Sequence, residues 1–508
     1  MLSILLLISF AGALALILWP GVPCPETSKR FSLVTLAAQL LWSCALLIPF
    51  DGHLAGMQLQ EQASWLGSLG LDYRLGLDGL ALSLVLINGI LSLVAAAVSS
   101  TGTPRPRLYF ALLLIISAAV NGAFLAENTL LFFLFYELEL IPLWLLIAIW
   151  GGRNRAYAAT KFLIFTAVSG VLILVAFLGL ALASGDLDFS ILPDQARQLG
   201  LGTQLALMAA LVVGFGIKIP LFPFHSWLPD AHTEASTPIS VLLAGVLLKL
   251  GTYGLLRFCL GLFPDAWALM SPYLAGWAAV SVLFGSLAAI AQTDMKRMVA
   301  YSSVGHMGYV LLATAAATPV SLLGALFQMI AHGLISGLMF LLVGVVYSAT
   351  GTRDLTVLRG LMNPQRGLPL TGSLMVLAVM ASAGIPGMAG FVAEFMIFRG
   401  SLLTFPLATL LSMVGSGLTA VYFLLLVNRV FFGRLAVTPV RPDSPTHNVL
   451  LPAVPLIHQL PAMALALVVF VVGLWPQGLA DLAVGSTTAL STLPQQMALA
   501  GRPGEAAG

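Results

Sequence analysis

Residues 203–223 read TQLALMAALVVGFGIKIPLFP, and this stretch decides the fold class. It is apolar almost throughout, yet Gly216-Ile217-Lys218-Ile219-Pro220 places a lysine and a helix-breaking proline inside it. A proline within a helix removes one N–H and displaces the carbonyl four residues back, so Pro220 frees the Gly216 carbonyl and Pro223 that of Ile219. Such a carbonyl in hydrocarbon needs water or a polar side chain, and the lysine charge alone costs on the order of 3 kcal/mol there. Similar apolar stretches recur on both sides. Fourteen centre on residues 1–19, 31–50, 78–98, 108–126, 129–150, 157–182, 203–223, 238–262, 270–291, 297–317, 320–347, 368–397, 403–432 and 456–475. Each is long enough to cross a ~30 Å hydrocarbon core at ~1.5 Å per residue. The reading is an all-α polytopic membrane protein with about fourteen transmembrane helices.

Composition agrees. Of 508 residues, 59% are apolar and 8% charged, with a mean hydropathy of +1.01, whereas globular chains are about 25% charged. A soluble protein is excluded. The first span runs longer than a signal-peptide core and is followed by Lys29 and Arg30 rather than a cleavage site, so it is expected to be a retained helix. Cys24, Cys44 and Cys259 are scattered, which supports neither an iron–sulfur cluster nor a zinc site. No phosphate-binding glycine motif occurs, nothing points to nucleic acid, and a haem lacks convincing histidine spacing; redox chemistry belongs elsewhere than in this chain. The net charge of +2 says nothing about partners. Lysines and arginines, however, gather in alternate connections, with thirteen of 22 on one side (Lys29 through Arg441) and Arg74, Arg197, Arg399 and Arg502 on the other. Because positive loops favour the cytoplasm, both termini are expected on the opposite face.

A second interruption, Gly384-Ile385-Pro386-Gly387, lies in span 368–397, and Pro386 frees the Ser382 carbonyl. From Pro220 to Pro386 the offset is 166 residues. The same offset carries the spans starting at 108, 129, 157, 203 and 238 close to those starting at 270, 297, 320, 368 and 403. Five helices therefore recur, and an odd number per unit makes the copies inverted, an arrangement that places ion sites on broken helices near the midplane. The expected divisions are 1–107 with three N-terminal helices, 108–262 and 270–432 as the repeats, and 433–508 as a C-terminal helix and tail. Hydrated cavities are expected beside Lys218 and near Glu394.

Glu137, Glu139, Lys161, Lys218, Lys249 and Glu394 are charged residues inside spans. Lys161, near a span end, suits snorkelling or a simple ion pair. The deeper lysines suit a proton relay, since a buried lysine loads or releases as a carboxylate approaches or retreats. Glu137 and Glu139 stand about 200° apart on a regular helix, so they cannot form a dyad; one is expected to face the bundle and the other a neighbouring subunit. Pro142 frees the Leu138 carbonyl between them. His306 and His332 fall between Lys249 and Glu394 in sequence, where they can bridge, although a lone helix histidine is more often a core residue. His225 is a further candidate.

The runs Phe135-Tyr136-Glu137-Leu138-Glu139-Leu140-Ile141-Pro142, Lys218-Ile219-Pro220-Leu221-Phe222-Pro223-Phe224-His225-Ser226-Trp227-Leu228-Pro229-Asp230-Ala231-His232, Leu247-Leu248-Lys249, Tyr301-Ser302-Ser303-Val304-Gly305-His306 and Gly390-Phe391-Val392-Ala393-Glu394 resemble the antiporter-like M subunit of complex I. The likeness spans residues 70–435. Glu139 and Leu145-Leu146-Ile147-Ala148-Ile149-Trp150-Gly151-Gly152 are similar to the NdhD type of the photosynthetic, cyanobacterial NDH-1 complex, and Ala313-Thr314-Ala315-Ala316-Ala317-Thr318-Pro319 and Leu424-Leu425-Leu426-Val427-Asn428-Arg429 to its CO2-uptake variants. The resemblance implies a proton-translocating subunit of a plastoquinone oxidoreductase fed by NAD(P)H or ferredoxin. In it Glu137 modulates Lys218, Lys249 continues the axis, His306 and His332 link onward, and Glu394 hands the proton on. It also implies neighbouring antiporter-like subunits of the F and B types, plastoquinone and iron–sulfur clusters held by partners, a CO2-hydrating partner in the uptake variants, and the cyanobacterial thylakoid membrane. A multi-subunit Na⁺/H⁺ antiporter subunit and a scaffold whose charges are mere ion pairs are the competing readings.

Overall fold

The computed structural model describes residues 1–21, 24–67, 70–185, 187–189, 191–437, 451 and 454–500, with side chains to 493. Arg441 and Arg502, counted above, lie outside them. In chain order the helices are α1 (Leu2–Leu18), α2 (Pro25–Ala45), α3 (Gly79–Val98), α4 (Pro106–Leu125), α5 (Thr129–Leu138), α6 (Leu140–Trp150), α7 (Arg155–Ser184), α8 (Leu192–Gln198), α9 (Leu201–Lys218), α10 (Trp227–Glu234), α11 (Thr237–Leu242), α12 (Leu248–Gly254), α13 (Pro264–Ile290), α14 (Met295–Ala316), α15 (Pro319–Thr350), α16 (Pro369–Ser382), α17 (Ala389–Ser401), α18 (Pro406–Val430), α19 (Leu456–Leu474) and α20 (Gln477–Ala500). The protein is mostly helical, and among the described residues ten helices are long and apolar enough to cross a membrane. Starts are set by local chemistry: the Asp78 carboxylate caps α3, Asn128 caps α5, Asp294 caps α14, and Thr318 forms a capping box with Ser321 at α15.

The all-α expectation needs one correction. The connection between α2 and α3 folds as an antiparallel hairpin, β1 (Gln58–Leu66) with β2 (Leu71–Leu77). Its alternation is imperfect, with Leu71, Leu75 and Leu77 buried, which hid it within a segment read as a loop. The hairpin is tied to the bundle where Glu61 accepts the Leu2 and Ser3 amides at 2.8 and 2.9 Å, satisfying free donors at the start of α1. A two-residue pair, Leu358–Arg359 with Ala436–Val437, closes another loop.

Both expected interruptions are real breaks. The chain leaves helix at Lys218 and resumes with a short 3-10 turn at Phe224–Ser226 and then α10; it leaves again at Ser382 and resumes at Ala389. The Gly216 carbonyl does not wait for water, because the Leu221 amide donates to it at 2.9 Å.

Burial sorts the helices. The span Thr237–Leu260 is wholly buried in its apolar window and Pro319–Thr350 is 94% so, whereas Arg155–Ser184 and Pro406–Val430 are 39% buried. The first two form the centre, and the latter two present apolar faces outward, among them Val171 and Leu424. Glycines allow the central contacts. A Cβ at Gly245 would meet Leu91, one at Gly333 would stand 2.9 Å from the Gly245 carbonyl, and one at Gly254 would strike the Phe215 ring. The central span is also irregular. Wide five-residue (π) turns at Leu243–Leu247 and Leu255–Leu260 flank α12, a feature concentrated at functional sites.

Candidate functional site

Lys218 ends α9 at the first break, fully buried, and its ammonium is ion-paired with the carboxylate of Glu139. Its other neighbour is the Tyr136 ring, 4.3 Å from ammonium to centroid, an attraction strengthened by desolvation. Tyr136 is braced by the Ser169 hydroxyl at 3.3 Å, which itself donates to the Gly214 carbonyl at 2.7 Å. The direct partner of Lys218 is thus Glu139, where the resemblance pointed to Glu137. The cause is the local turn: Glu139 sits at the junction of α5 and α6 and points inward, so Glu137 faces α7. There it lies half-buried, with Oε1 lacking a hydrogen-bond partner among the described residues, against Gly170, where a Cβ would come within 2.4 Å. The two carboxylates face different ways, as the spacing required.

Lys249 occupies α12 between the wide turns. Its ammonium donates to the Ala244 carbonyl at 2.6 Å and lies 2.8 Å from Nδ1 of His332. The wide turn brings a carbonyl five residues back within reach of the lysine. The His332 ring stands 5.7 Å from that of His306. Nδ1 of His306 meets the Gln328 amide at 3.2 Å, its Nε2 meets the Ser382 hydroxyl at 3.0 Å, and Glu394 Oε1 lies 3.9 Å from Nδ1. Ser382 is the last residue before the second break, so that break presents its side chain to the histidine. Glu394 accepts from the Ser416 hydroxyl at 2.5 Å, while its Oε1 and the His332 Nε2 have no hydrogen-bond partner among the described residues. Between these groups lies a space of about 10 Å³, lined by Ser302, His306, Gln328, His332, Ser382 and Glu394. That is about the size of one water, in a lining polar enough to hold it.

The remaining candidates separate. Lys161 is ion-paired with Asp230 at 2.7 Å near the start of α7, as its position suggested. His225 packs among Phe222, Phe284 and Tyr301. Two groups escaped the sequence reading. Lys296, counted there among loop charges, is buried at the start of α14 and donates to the Ala235 carbonyl at 2.6 Å. His232 is buried and stacked on Phe340 at 4.5 Å, with neither ring nitrogen hydrogen-bonded among the described residues, within electrostatic reach of Lys296 and Lys249. It stands in the Phe224–His232 run, seven residues beyond His225, and that second histidine was the available signal. Among the described residues no group of histidine, cysteine or carboxylate side chains could hold a metal ion.

Residues 126–419 match the family described as NADH:quinone oxidoreductase/Mrp antiporter, TM. The chain is 41% identical over 408 residues to NAD(P)H-quinone oxidoreductase chain 4 2 of Thermosynechococcus vestitus, covering 79% of this chain and 75% of that one. It is 42% identical over 391 residues to chain 4-3 of a Nostoc species, covering 76% and 69%. Among solved structures, a chain of respiratory complex I from Thermus thermophilus with bound NADH superposes with a TM-score of 0.85 at 27% identity, covering 97% of this chain and all of that one. A chain of the Mrp complex from Dietzia shares the fold at the same TM-score and 22% identity, over 97% and 99%.

Proposed function

The chain belongs to the NADH:quinone oxidoreductase/Mrp antiporter membrane family, and from that premise we propose that it is the proton-translocating NdhD-type membrane-arm subunit of an NDH-1, complex I-like quinone oxidoreductase. The carrying observation is the run of buried ionisable groups Glu139–Lys218 and Lys249–His332–His306–Glu394, gathered at two broken helices and spaced by hydrogen bonds or by room for about one water. Charges with no protein hydrogen-bond partner on one oxygen or nitrogen are expensive inside a membrane, and the cost is met where protons must move. In this reading Lys218 loads when held by Glu139, and Glu137 on the flank of α5 senses a neighbouring subunit. Lys249 and the two histidines carry the proton to Glu394, and ten of the fourteen crossings form two inverted five-helix units.

The redox groups, plastoquinone and iron–sulfur clusters, then belong to partner subunits. The apolar outward faces of α7 and α18 would meet lipid or antiporter-like neighbours of the F and B types, in a cyanobacterial thylakoid membrane. The proposal stops at the subunit family, because relatives numbered 4 1, 4 2 and 4 3 match within 39 to 42% identity alike. Replacing Lys218 by alanine in the assembled complex tests it: proton transport per electron should fall, and unchanged transport would sink the relay and leave the charges as structural ion pairs. The Na⁺/H⁺ antiporter reading shares the fold, so purification in mild detergent separates the two. Redox and quinone-binding subunits should accompany the chain, and small antiporter subunits in their place would favour the alternative.

A further inference from the structure

Tyr309 is buried on α14, three residues after His306 and so beside it on the helix. Its ring meets the His306 ring edge-on at 5.7 Å and the Phe398 ring edge-on at 5.7 Å. Phe398 is four residues, about one turn, beyond Glu394 on α17. The tyrosine ring therefore touches both the histidine that delivers the proton and the helix that carries its acceptor. The hydroxyl looks to a third helix. A Cβ on Gly415 of α18 would stand 3.6 Å from its oxygen, and the next residue, Ser416, is the donor to Glu394 Oε2. The Tyr309 hydroxyl and the Glu394 carboxylate thus approach the same turn of α18, within electrostatic reach of one another.

Yet the two are not bonded. The Tyr309 hydroxyl has no hydrogen-bond partner among the described residues, and neither has Glu394 Oε1. The neighbouring hydroxyls of α18 are engaged: Thr419 donates to the Gly415 carbonyl at 3.2 Å and accepts from Tyr422 at 3.2 Å. Tyr309 does not line the water-sized space shared by His306, His332 and Glu394, so a water held there is no partner for it. A buried hydroxyl left unpaired is costly, and a partner that arrives in another state of the site accounts for it. Glu394 is free to be that partner. Among the described residues one hydrogen bond, from Ser416, holds its carboxylate, and the chain passes beside Oε2 as Gly384, where an added Cβ would stand 3.0 Å away.

We propose that the Tyr309 hydroxyl is a second seat for the Glu394 side chain, a positioning group that holds the loaded acid off His306 and so makes the transfer one-way. This rests on the proton-translocating reading above and leaves its order, Lys249 to His332 to His306 to Glu394, unchanged. In the first seat Glu394 Oε1 lies 3.9 Å from His306 Nδ1. A proton leaves protonated His306 through a water in the space between them and adds to Oε1, which leaves a neutral imidazole and a neutral carboxylic acid. With both charges gone, the attraction that kept Oε1 near the histidine is gone too. Turning about its side-chain bonds, the acid accepts from the Tyr309 hydroxyl on its carbonyl oxygen, away from His306. Once Glu394 has given its proton onward, the restored carboxylate is drawn back as His306 is reloaded.

The test uses the whole complex in vesicles, with protons released per electron measured without and with an opposing proton gradient. Tyr309→Phe keeps the ring against His306 and Phe398 and removes only the hydroxyl. Without a gradient its yield should match wild type, because Tyr309 carries no proton. Against a gradient its yield should fall, since loss of one hydrogen bond makes return to His306 up to about tenfold more frequent. The carbonyl stretch of protonated Glu394, picked out in infrared difference spectra by its absence in Glu394→Gln, should move to higher frequency in Tyr309→Phe. A wild-type yield against the gradient, a yield lowered equally with and without it, or an unmoved band overturns the proposal. Lys218→Ala separates this from the reading beneath it: a lowered yield there beside a silent Tyr309→Phe removes the second seat alone, and a silent Lys218→Ala removes the translocating reading. Should Tyr309→Phe fail to assemble, the complex grown with ring-fluorinated tyrosine decides, since fluorine makes the phenol a stronger donor and keeps the ring in place: the Glu394 band should move to lower frequency, and an unmoved band overturns the proposal.

Discussion

Replacing Glu139 by glutamine removes one charge and almost no volume from the interior. Lys218 and Glu139 are both 0% exposed and paired, and deleting one partner of a buried pair costs about 3–5 kcal/mol. The glutamine oxygen can still accept a hydrogen bond from the ammonium, which returns about 1–2 kcal/mol. The Tyr136 contact is present before and after and drops out. The balance of about 2–3 kcal/mol, at about 1.4 kcal/mol per decade, is a bias of roughly 30- to 150-fold against the charged lysine. Proton transport through this chain should collapse correspondingly. The assay is proton yield per electron in reconstituted vesicles, with native gels reporting assembly. Glu137→Gln is the comparison: among the described residues its carboxylate holds no ion pair, so its loss should be under about tenfold. Transport silenced by Glu137→Gln yet within twofold of wild type in Glu139→Gln would show that the inward pair is not the working one. A Glu139→Gln/Lys218→Met double variant should assemble better than the two single losses sum to, because no buried charge is left unmatched.

Glu394→Gln preserves an acceptor for the Ser416 hydroxyl and should cut pumping with assembly intact on native gels; loss of the complex would mark Glu394 as structural. Lys161→Ala removes one of two cations around Asp230, since Arg297 remains at 3.3 Å, so stability should change by about 1 kcal/mol or less and proton yield by less than twofold. Gly285→Leu should abolish assembly, because even a Cβ there would stand 2.5 Å from the Gly305 backbone nitrogen, where α13 and α14 touch; a stable complex from that variant would contradict the packing.

How much of this was readable beforehand follows from what side-chain chemistry announces. Pro220 and Pro386 mark both breaks because a missing N–H acts wherever it falls. His306, His332 and Glu394 could be grouped because polar groups in apolar helices need one another. Other features depend on tertiary direction. The choice between Glu137 and Glu139 turns on the backbone junction at residue 139. Lys296 looked like a loop charge because its helix begins one residue before it, and only the fold buries it against Ala235. The hairpin at Gln58–Leu77 is held by Glu61 reaching the start of α1, nearly sixty residues away, and no local period reveals that. The wide turns around Lys249 leave no mark in composition.

Those turns also set a rule about length. In an ordinary membrane helix, dropping a residue turns everything beyond it by about 100° and shifts it by about 1.5 Å. Along Thr237–Leu260 each wide turn stores one extra residue, so deleting one within Leu243–Leu247 would be absorbed as a regular helix at almost no cost in hydrogen bonds. The helix would survive with Lys249 still on much the same face, but the Ala244 carbonyl that now accepts from its ammonium would be drawn back into the regular ladder. A one-residue deletion here should therefore yield a complex that assembles and does not pump, which makes chain length along this span a heritable constraint on coupling, separate from any constraint on residue identity.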